Sequence, residues 1–304
     1  MRDTLDWDKL KTFHAAADTG SLTAAAEKLN ISQSAASRQI TALEDSLDTP
    51  LFHRHARGLT LTEQGHILFA AVQDMAQKVS LAQASVIDSR GKAQGTLRVS
   101  APISLGSNWL MSVLPEFIST YPEIDLQLIL EDEEHDLSTM DVDCALRPWP
   151  STQGDVIERR LGSMPQSLYA SDTYLSKFGA PKSIEDLDNH KFVAFGDLTP
   201  QRLTLSSNWV LSVGRPPDRP RKPVMEINNL HGIMRAAEAG IGIVGIPDYM
   251  PTLSRRLVRV LPQVKGSPLE LFFVYPTELR GSVRTRVFRE FLVQATKNWA
   301  QKAE

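Results

Sequence analysis

Cysteine is nearly absent from this chain: Cys144 is the single one in 304 residues. An intramolecular disulfide is thereby excluded, and no neighbouring Cys or His ligands offer a zinc site. No apolar run approaches the roughly 20 residues that span a bilayer. No basic-then-apolar leader is read at the start either, so a cytoplasmic protein with no membrane partner is expected. Positive charge is not in excess, since 33 Lys and Arg face 36 Asp and Glu for a net charge of −3. Bulk attraction to a polyanion is excluded, and any nucleic-acid contact must come from a locally basic surface. A Gly-x-Ser-x-Gly elbow, a phosphate loop and a paired-histidine zinc helix are all missing, so no catalytic residue, no metal and no cofactor is assigned. What is there is 42% hydrophobic residues, enough to build cores for two or three domains.

The first sixty residues carry three short helical patterns. Leu10, Phe13 and Ala17 share one face after the cap candidate Asp6, and Gly20 stops that helix. Ser21 caps a second segment whose Leu22, Ala25, Ala26 and Leu29 fall at i, i+3, i+4 and i+7, ending at Asn30-Ile31. Ser32 caps a third, in which Ala36, Ile40, Leu43 and Leu47 point inward. Opposite that stripe lie Ser34, Arg38 and Thr41, flanked by Gln33 and Ser37. A helix-turn-helix presents the start of its second helix to the major groove, where Gln pairs with adenine and Arg with guanine. The competing interpretation is a small bundle with a solvated face, which would carry more Glu and Lys than Ser and Gln.

Leu51-Phe52 and Leu59-Thr60-Leu61 then suggest two short strands around His53, Arg54, His55, Arg57 and Gly58, a basic wing. The His53 and His55 pair lacks a third ligand nearby, so phosphate contact is favoured over metal. Taken together, Leu10, Phe13, Gly20-Ser21, Ala25-Ala26, Leu29, Ser32-Gln33, Ser37-Arg38, Ile40, Leu43-Glu44, Leu51-Phe52, Arg54, Leu61-Thr62 and Gly65 resemble the LysR-type transcriptional regulators, without a gap. The resemblance implies a winged helix-turn-helix over residues 1–62 whose Gln33, Ser34, Ser37, Arg38 and Arg54 touch DNA. Thr41, His53 and Arg57 are added from the helix face and the wing. Two residues depart from the family pattern: Ser34 stands where proline is usual, and Asp48 where a helix-ending glycine is usual. Asp can adopt the left-handed conformation, so the fold survives.

From Glu63 to about Ser89 there is no proline, and Leu68, Val72, Met75, Val79, Ala82 and Val86 recur at steps of four and three. So narrow a seam needs a partner, either a second copy or the chain's own C-terminal domain. A homodimer through residues 63–90 is expected. The resemblance implies paired linker helices that set two reading heads on an inverted repeat of promoter DNA, with assembly to a homotetramer and contact with RNA polymerase.

Residues 91–304 alternate strand-like and helix-like segments, which predicts an α/β domain with largely parallel sheets. The resemblance implies a periplasmic-binding-protein-like effector domain of two α/β subdomains, the first at about 96–163 and 268–304, the second at about 164–267. Ligands of such sheets bind beyond the carboxyl ends of strands, between subdomains. That rule selects Ser100, Ala101, Pro102, Ser104, Arg147, Pro148, Trp149, Phe195, Asn228, Asn229, Ile246 and Pro247. Hydroxyls, amides and Arg147 suit an anionic small-molecule effector, although Arg147 could instead pair with the acidic run from Glu131 to Asp136. Strand ends also carry helix caps and turns, so each of these residues has a structural alternative.

Gly240-Ile241-Gly242-Ile243-Val244-Gly245 matches the dinucleotide fingerprint letter for letter. Its setting is inverted, because a helical pattern precedes it and an apolar strand follows. A ligand-controlled DNA-binding regulator is therefore expected, ahead of an enzyme with a DNA-binding appendage or a solute-binding protein.

Overall fold

The computed structural model describes residues 6–55, 58–88, 92–134, 136–139, 141–196, 208–216, 218–250 and 256–301. The chain divides into two compact units, Met1–Val86 and Ile87–Glu304. Among the described residues no helix is long and apolar enough to cross a membrane.

In the first unit, α1 (Trp7–Thr19), α2 (Leu22–Leu29) and α3 (Gln33–Leu47) each start on a side-chain cap. Asp6, Ser21 and Ser32 accept backbone N–H groups of Asp8, Ala24 and Ala35 that the helix cannot satisfy itself. All three end on a left-handed residue, Gly20, Asn30 or Asp48, so the Asp48 departure is absorbed as expected. Leu10, Phe13, Ala25, Ile40 and Leu43 meet in one core with Leu51 and Phe52. The antiparallel wing, β1 (Phe52–His55) and β2 (Gly58–Leu61), is tied to α1 where Leu59 N–H donates to the Gly20 carbonyl at 2.8 Å.

Helix α4 (Glu63–Asp88) begins on Thr62, whose Oγ1 accepts the Gly65 N–H at 2.9 Å while the Thr62 N–H donates to the Leu51 carbonyl at 2.9 Å. Its first turns lie against the winged unit, and this corrects the expected seam. Val72 is only 1% exposed within the unit's own core, and Leu68 packs against that core. Val72 offers no free face to a second chain, while Leu68 is partly buried. The exposed large apolar residues of α4 among the described side chains are Ile67, Met75 and Val79, at 69%, 44% and 40%. The side chains of Ala82 and Val86 lie outside the described set.

The second unit opens with β3 (Gly95–Ala101), a π-helical turn (Leu105–Leu110), α5 (Met111–Thr120), β4 (Ile124–Leu130) and β5 (Cys144–Arg147). Strand β3 is parallel to both β4 and β5. The chain then crosses into a second lobe along β6 (Val156–Ser171). That lobe holds α6 (Asp172–Phe178), β7 (Val193–Phe195), a helical turn α7 (Trp209–Ser212), β8 (Met225–Ile227), α8 (Leu230–Glu238) and β9 (Val244–Pro247). The chain comes back along β10 (Leu257–Pro276) to α9 (Val283–Gln301). The main sheet runs β4-β3-β5-β10-β6-β9. Largely parallel sheets were expected, yet β10 is antiparallel to β5 and β6, and β6 to β9. The reason is the double crossing, because outward and return strands in one ribbon must run in opposite directions.

Helix α9 packs against the first lobe. Phe288 meets Phe117 edge-on at 4.9 Å between ring centroids, and the Arg284 guanidinium sits 3.6 Å from Asp143. Asp143 in turn accepts the Arg98 N–H of β3 at 2.7 Å, so one carboxylate links the last helix to the first strand of the lobe.

Gly65 supports α4 through its lack of a side chain. A Cβ there would stand 2.2 Å from the Leu51 carbonyl oxygen. We expect Gly65→Ala to destabilise the winged unit by about 1 to 3 kcal/mol, the range of overpacking substitutions, measured as a shifted urea midpoint.

Candidate functional site

Two regions carry chemistry, one in each unit. In the first, the inward stripe of α3 leaves Gln33, Ser34, Arg38 and Thr41 exposed on the opposite face, with Ser37 half-buried beside them. Ser34 Oγ lies 3.1 Å from the Ser32 hydroxyl, so it joins the cap at the helix start. His53 and Arg54 are exposed on β1, and Arg57 lies outside the described residues. Glu44 ties the helix to this wing. Its Oε1 accepts the N–H groups of Leu51 at 2.8 Å and Phe52 at 3.2 Å, and its Oε2 stands 3.7 Å from Arg54. Sequence reasoning placed Arg54 correctly on the wing but had no signal for this anchor, which spans ten positions. The His53 and His55 rings are 6.2 Å apart, and His55 Nε2 meets Thr60 Oγ1 at 3.2 Å. Among the described residues no group of three His, Cys, Asp or Glu side chains could hold a metal ion.

In the second unit, a cavity of about 30 Å³ lies between the lobes. That is room for a water or two. Of the residues chosen at strand ends, Pro102, Ser104, Pro148 and Phe195 line it. Sequence reasoning missed Leu105, Asp132, Met164, Leu230, Tyr249 and Leu269, which complete the wall. Asp132 was within reach, because it stands two residues beyond β4, and Tyr249 stands two beyond β9. Met164 and Leu269 face each other in the middle of the β6–β10 ribbon, where no strand-end rule applies.

The other chosen residues do different work. Asn229 caps α8, its Oδ1 accepting the Gly232 N–H at 2.7 Å, and exposed Asn228 accepts from the Asn229 amide at 3.1 Å. Ile246 is fully buried in the core of the second lobe, and Pro247 pairs with Gln166 in the sheet. Ala101 is buried at the end of β3, where its carbonyl accepts the Glu131 N–H at 3.1 Å. Trp149 is nearly buried but absent from the wall. Arg147, on which the expectation of an anion rested, is 2% exposed and also absent from the wall. Its Nη1 donates to Ser100 Oγ at 3.1 Å and to the Leu146 carbonyl at 3.3 Å. Burial lowers its pKa, with Glu134 and Glu131 acting against that fall.

Asp132 brings a carboxylate to the wall. Its Oδ1 accepts the Ile103 N–H at 3.1 Å, whereas Oδ2 is buried with no hydrogen-bond partner among the described residues. Burial raises its pKa, partly opposed by the Ile103 amide. Tyr249 faces it across the lobes, its hydroxyl 3.4 Å from Ser104 Oγ and its pKa pushed up by burial.

The fingerprint glycines serve packing. They follow α8 and enter β9, the reverse of a nucleotide-binding turn. Gly240 is left-handed at φ 78°, a Cβ on Gly242 would lie 2.7 Å from the Lys191 carbonyl oxygen, and one on Gly245 would strike the Trp209 ring at 2.9 Å.

The raised pKa of Asp132 fixes a sign. Ionising it is harder in the folded chain, so the penalty is fully present above the folded pKa and is relieved as pH falls towards the ordinary carboxyl value of 3.8. We expect Asp132→Asn to be more stable than the parent at pH 7 and to lose that advantage below about pH 4, followed by urea unfolding across that range.

Residues 7–66 match the family model of the bacterial regulatory helix-turn-helix protein, lysR family, and residues 90–297 that of the LysR substrate binding domain. An HTH-type transcriptional regulator of Xanthomonas campestris pv. campestris is 30% identical over 95% of this chain and 85% of its own. The HTH-type transcriptional regulator PtxR of Pseudomonas aeruginosa is 30% identical over 95% and 92%. Among solved structures, CrgA of Neisseria meningitidis, a LysR-type transcriptional regulator, covers 95% of this chain and 98% of its own at 27% identity and a TM-score of 0.59. With both halves matched in order over the reading helix and the two-lobed domain, the chain belongs to the LysR family of bacterial transcriptional regulators.

Proposed function

We propose that this regulator works as a homodimer in the cytoplasm, reads an inverted repeat in promoter DNA with two copies of α3, and alters transcription when a small molecule enters the cavity between the lobes. The observation that carries the reading is the exposed polar face of α3, where Gln33, Ser34, Arg38 and Thr41 stand clear of the core beside His53 and Arg54. Arg38 and Gln33 are the base-reading candidates, while Ser34, Ser37 and Thr41 suit base edges or phosphates. His53, Arg54 and Arg57 are assigned to the phosphate backbone. Residues 1–62 form the reading head in this scheme, 63–90 the linker and 91–304 the effector domain. The chain is taken to act by binding alone, with no turnover of its ligand.

For self-association, the exposed row Ile67, Ala71, Met75 and Val79 advances around α4 in steps of four and replaces the row through Leu68 and Val72. A second copy of the chain is the proposed occupant, because antiparallel or parallel pairing of two such rows buries both at once. Four-chain assembly and contact with RNA polymerase belong to the same proposal.

Two experiments test it. On a duplex enriched from a random library by the parent protein, Arg38→Ala should weaken binding by about 1 to 3 kcal/mol and relax preference at one base pair. Equal weakening on every duplex would make Arg38 a phosphate contact. Val79→Glu should reduce the mass seen by sedimentation to that of one chain; an unchanged mass would discard the α4 row as the interface.

A further inference from the structure

The polar atoms around the interlobe cavity are of one kind. Asp132 contributes a buried carboxylate oxygen without a hydrogen-bond partner among the described residues, and Ser104 and Tyr249 contribute two hydroxyl oxygens 3.4 Å apart. Among the described residues no Lys, Arg or His lines the wall, and the remainder is apolar, with Phe195, Leu230 and Leu269 among it. We propose that the cavity takes a compact aliphatic molecule carrying a primary ammonium group, the ammonium at Asp132 and the aliphatic part against the apolar wall. The inference rests on the reading of this cavity as the effector site and gives that effector a chemical class.

An ammonium presents three N–H donors and no acceptor. Three oxygens belong to residues of the wall, one of them an ionisable carboxylate, and a charge-assisted bond to it is roughly twice as strong as a neutral one. Asp132 is pre-set for this role, since the Ile103 N–H holds Oδ1 at 3.1 Å while Oδ2 has no partner among the described residues. A carboxylate ligand would instead bring a second negative charge to a wall that holds no cation among the described residues. Arg147 is absent from that wall: its Nη1 donates to Ser100 and Leu146, its Nη2 is buried without a partner among the described residues, and the charges acting on it are those of Glu134 and Glu131. A neutral alcohol has one donor and leaves the carboxylate charge uncompensated.

Size adds a coupling to movement. A space of about 30 Å³ admits a water or two, so even a four-carbon amine enters only if the lobes part. The β6–β10 ribbon has a place to yield, because the register shifts between Val260 and Lys265 and again between Gly266 and Leu269. Ligand entry and lobe separation are then one event.

The test titrates the full chain calorimetrically with isobutylamine, isobutanol and isovalerate, which share a branched tail and differ in head group. Near pH 7 the amine is protonated, as a lysine is. The expected result is that isobutylamine binds at least about tenfold more tightly than either of the others, and that Asp132→Asn loses at least about tenfold of that affinity. Ser104→Ala should lose a smaller part, and Leu230→Trp, which fills the cavity, should abolish binding. Melting curves establish that each variant is folded. Isovalerate binding more tightly than the amine, equal amine binding in Asp132→Asn, or no binding of any probe overturns the ammonium assignment. Tight isovalerate binding that disappears in Leu230→Trp keeps the cavity as the effector site and discards only the head group. Amine binding unchanged in Leu230→Trp discards the cavity itself.

Discussion

Strands β6 and β10 remain paired from Val156 opposite Pro276 at one end to Ser171 opposite Leu257 at the other, and both lobes of the second unit hang on that ribbon. In the first lobe β10 extends the sheet through β5, and in the second β6 extends it through β9. Backbone hydrogen bonding therefore continues through the junction, so the lobes cannot separate without bending a ladder. A pure linker would let them move independently. A paired ribbon with register breaks instead confines the movement to a few positions around Leu261, whose φ of 46° already departs from the strand conformation. The cavity sits over this junction, with Met164 and Leu269 of the ribbon in its wall.

The first unit is organised by a smaller constraint of the same type. Glu44 accepts two backbone N–H groups at the start of the wing and stands against Arg54, so α3 and β1 are positioned by one carboxylate. A net charge of −3 over the whole chain does not oppose DNA binding under these conditions. What matters within a Debye length of roughly 8 Å is the local arrangement, and Arg38 on α3 and His53, Arg54 and His55 on β1 are all exposed.

Local chemistry was the legible part of the sequence. Asp6, Ser21 and Ser32 were recognisable as caps because a cap acts on N–H groups two or three residues away, inside the window that reading a sequence allows. The α4 seam shows where that window fails. A step of four and three marks a helix face, but does not say what covers it, and Val72 turned out to be covered by Phe13, Leu51 and their neighbours in the same unit. At the cavity the strand-end rule reaches Pro102, Ser104, Pro148 and Phe195, whereas Asn229 caps α8 and Ile246 closes the core of the second lobe. A strand end is equally the place where a helix is capped and a core is closed, so position alone cannot separate these roles.

The glycines at 240, 242 and 245 carry this point further. A fingerprint and a packing contact place the same demand on the chain, namely a backbone with no Cβ where another group comes close. In a nucleotide site that group is a pyrophosphate at a helix start. Here it is the Lys191 carbonyl at Gly242 and the Trp209 indole at Gly245, and the order of helix and strand decides between the two. Trp209 is also the ring that a Cβ on Gly266 would strike, at 2.4 Å, so the same indole lies between β9 and the return strand β10. Gly245 and Gly266 thus mark where that ring passes between strands next to the ribbon, which connects one glycine of an apparent cofactor motif to the junction that the two lobes share.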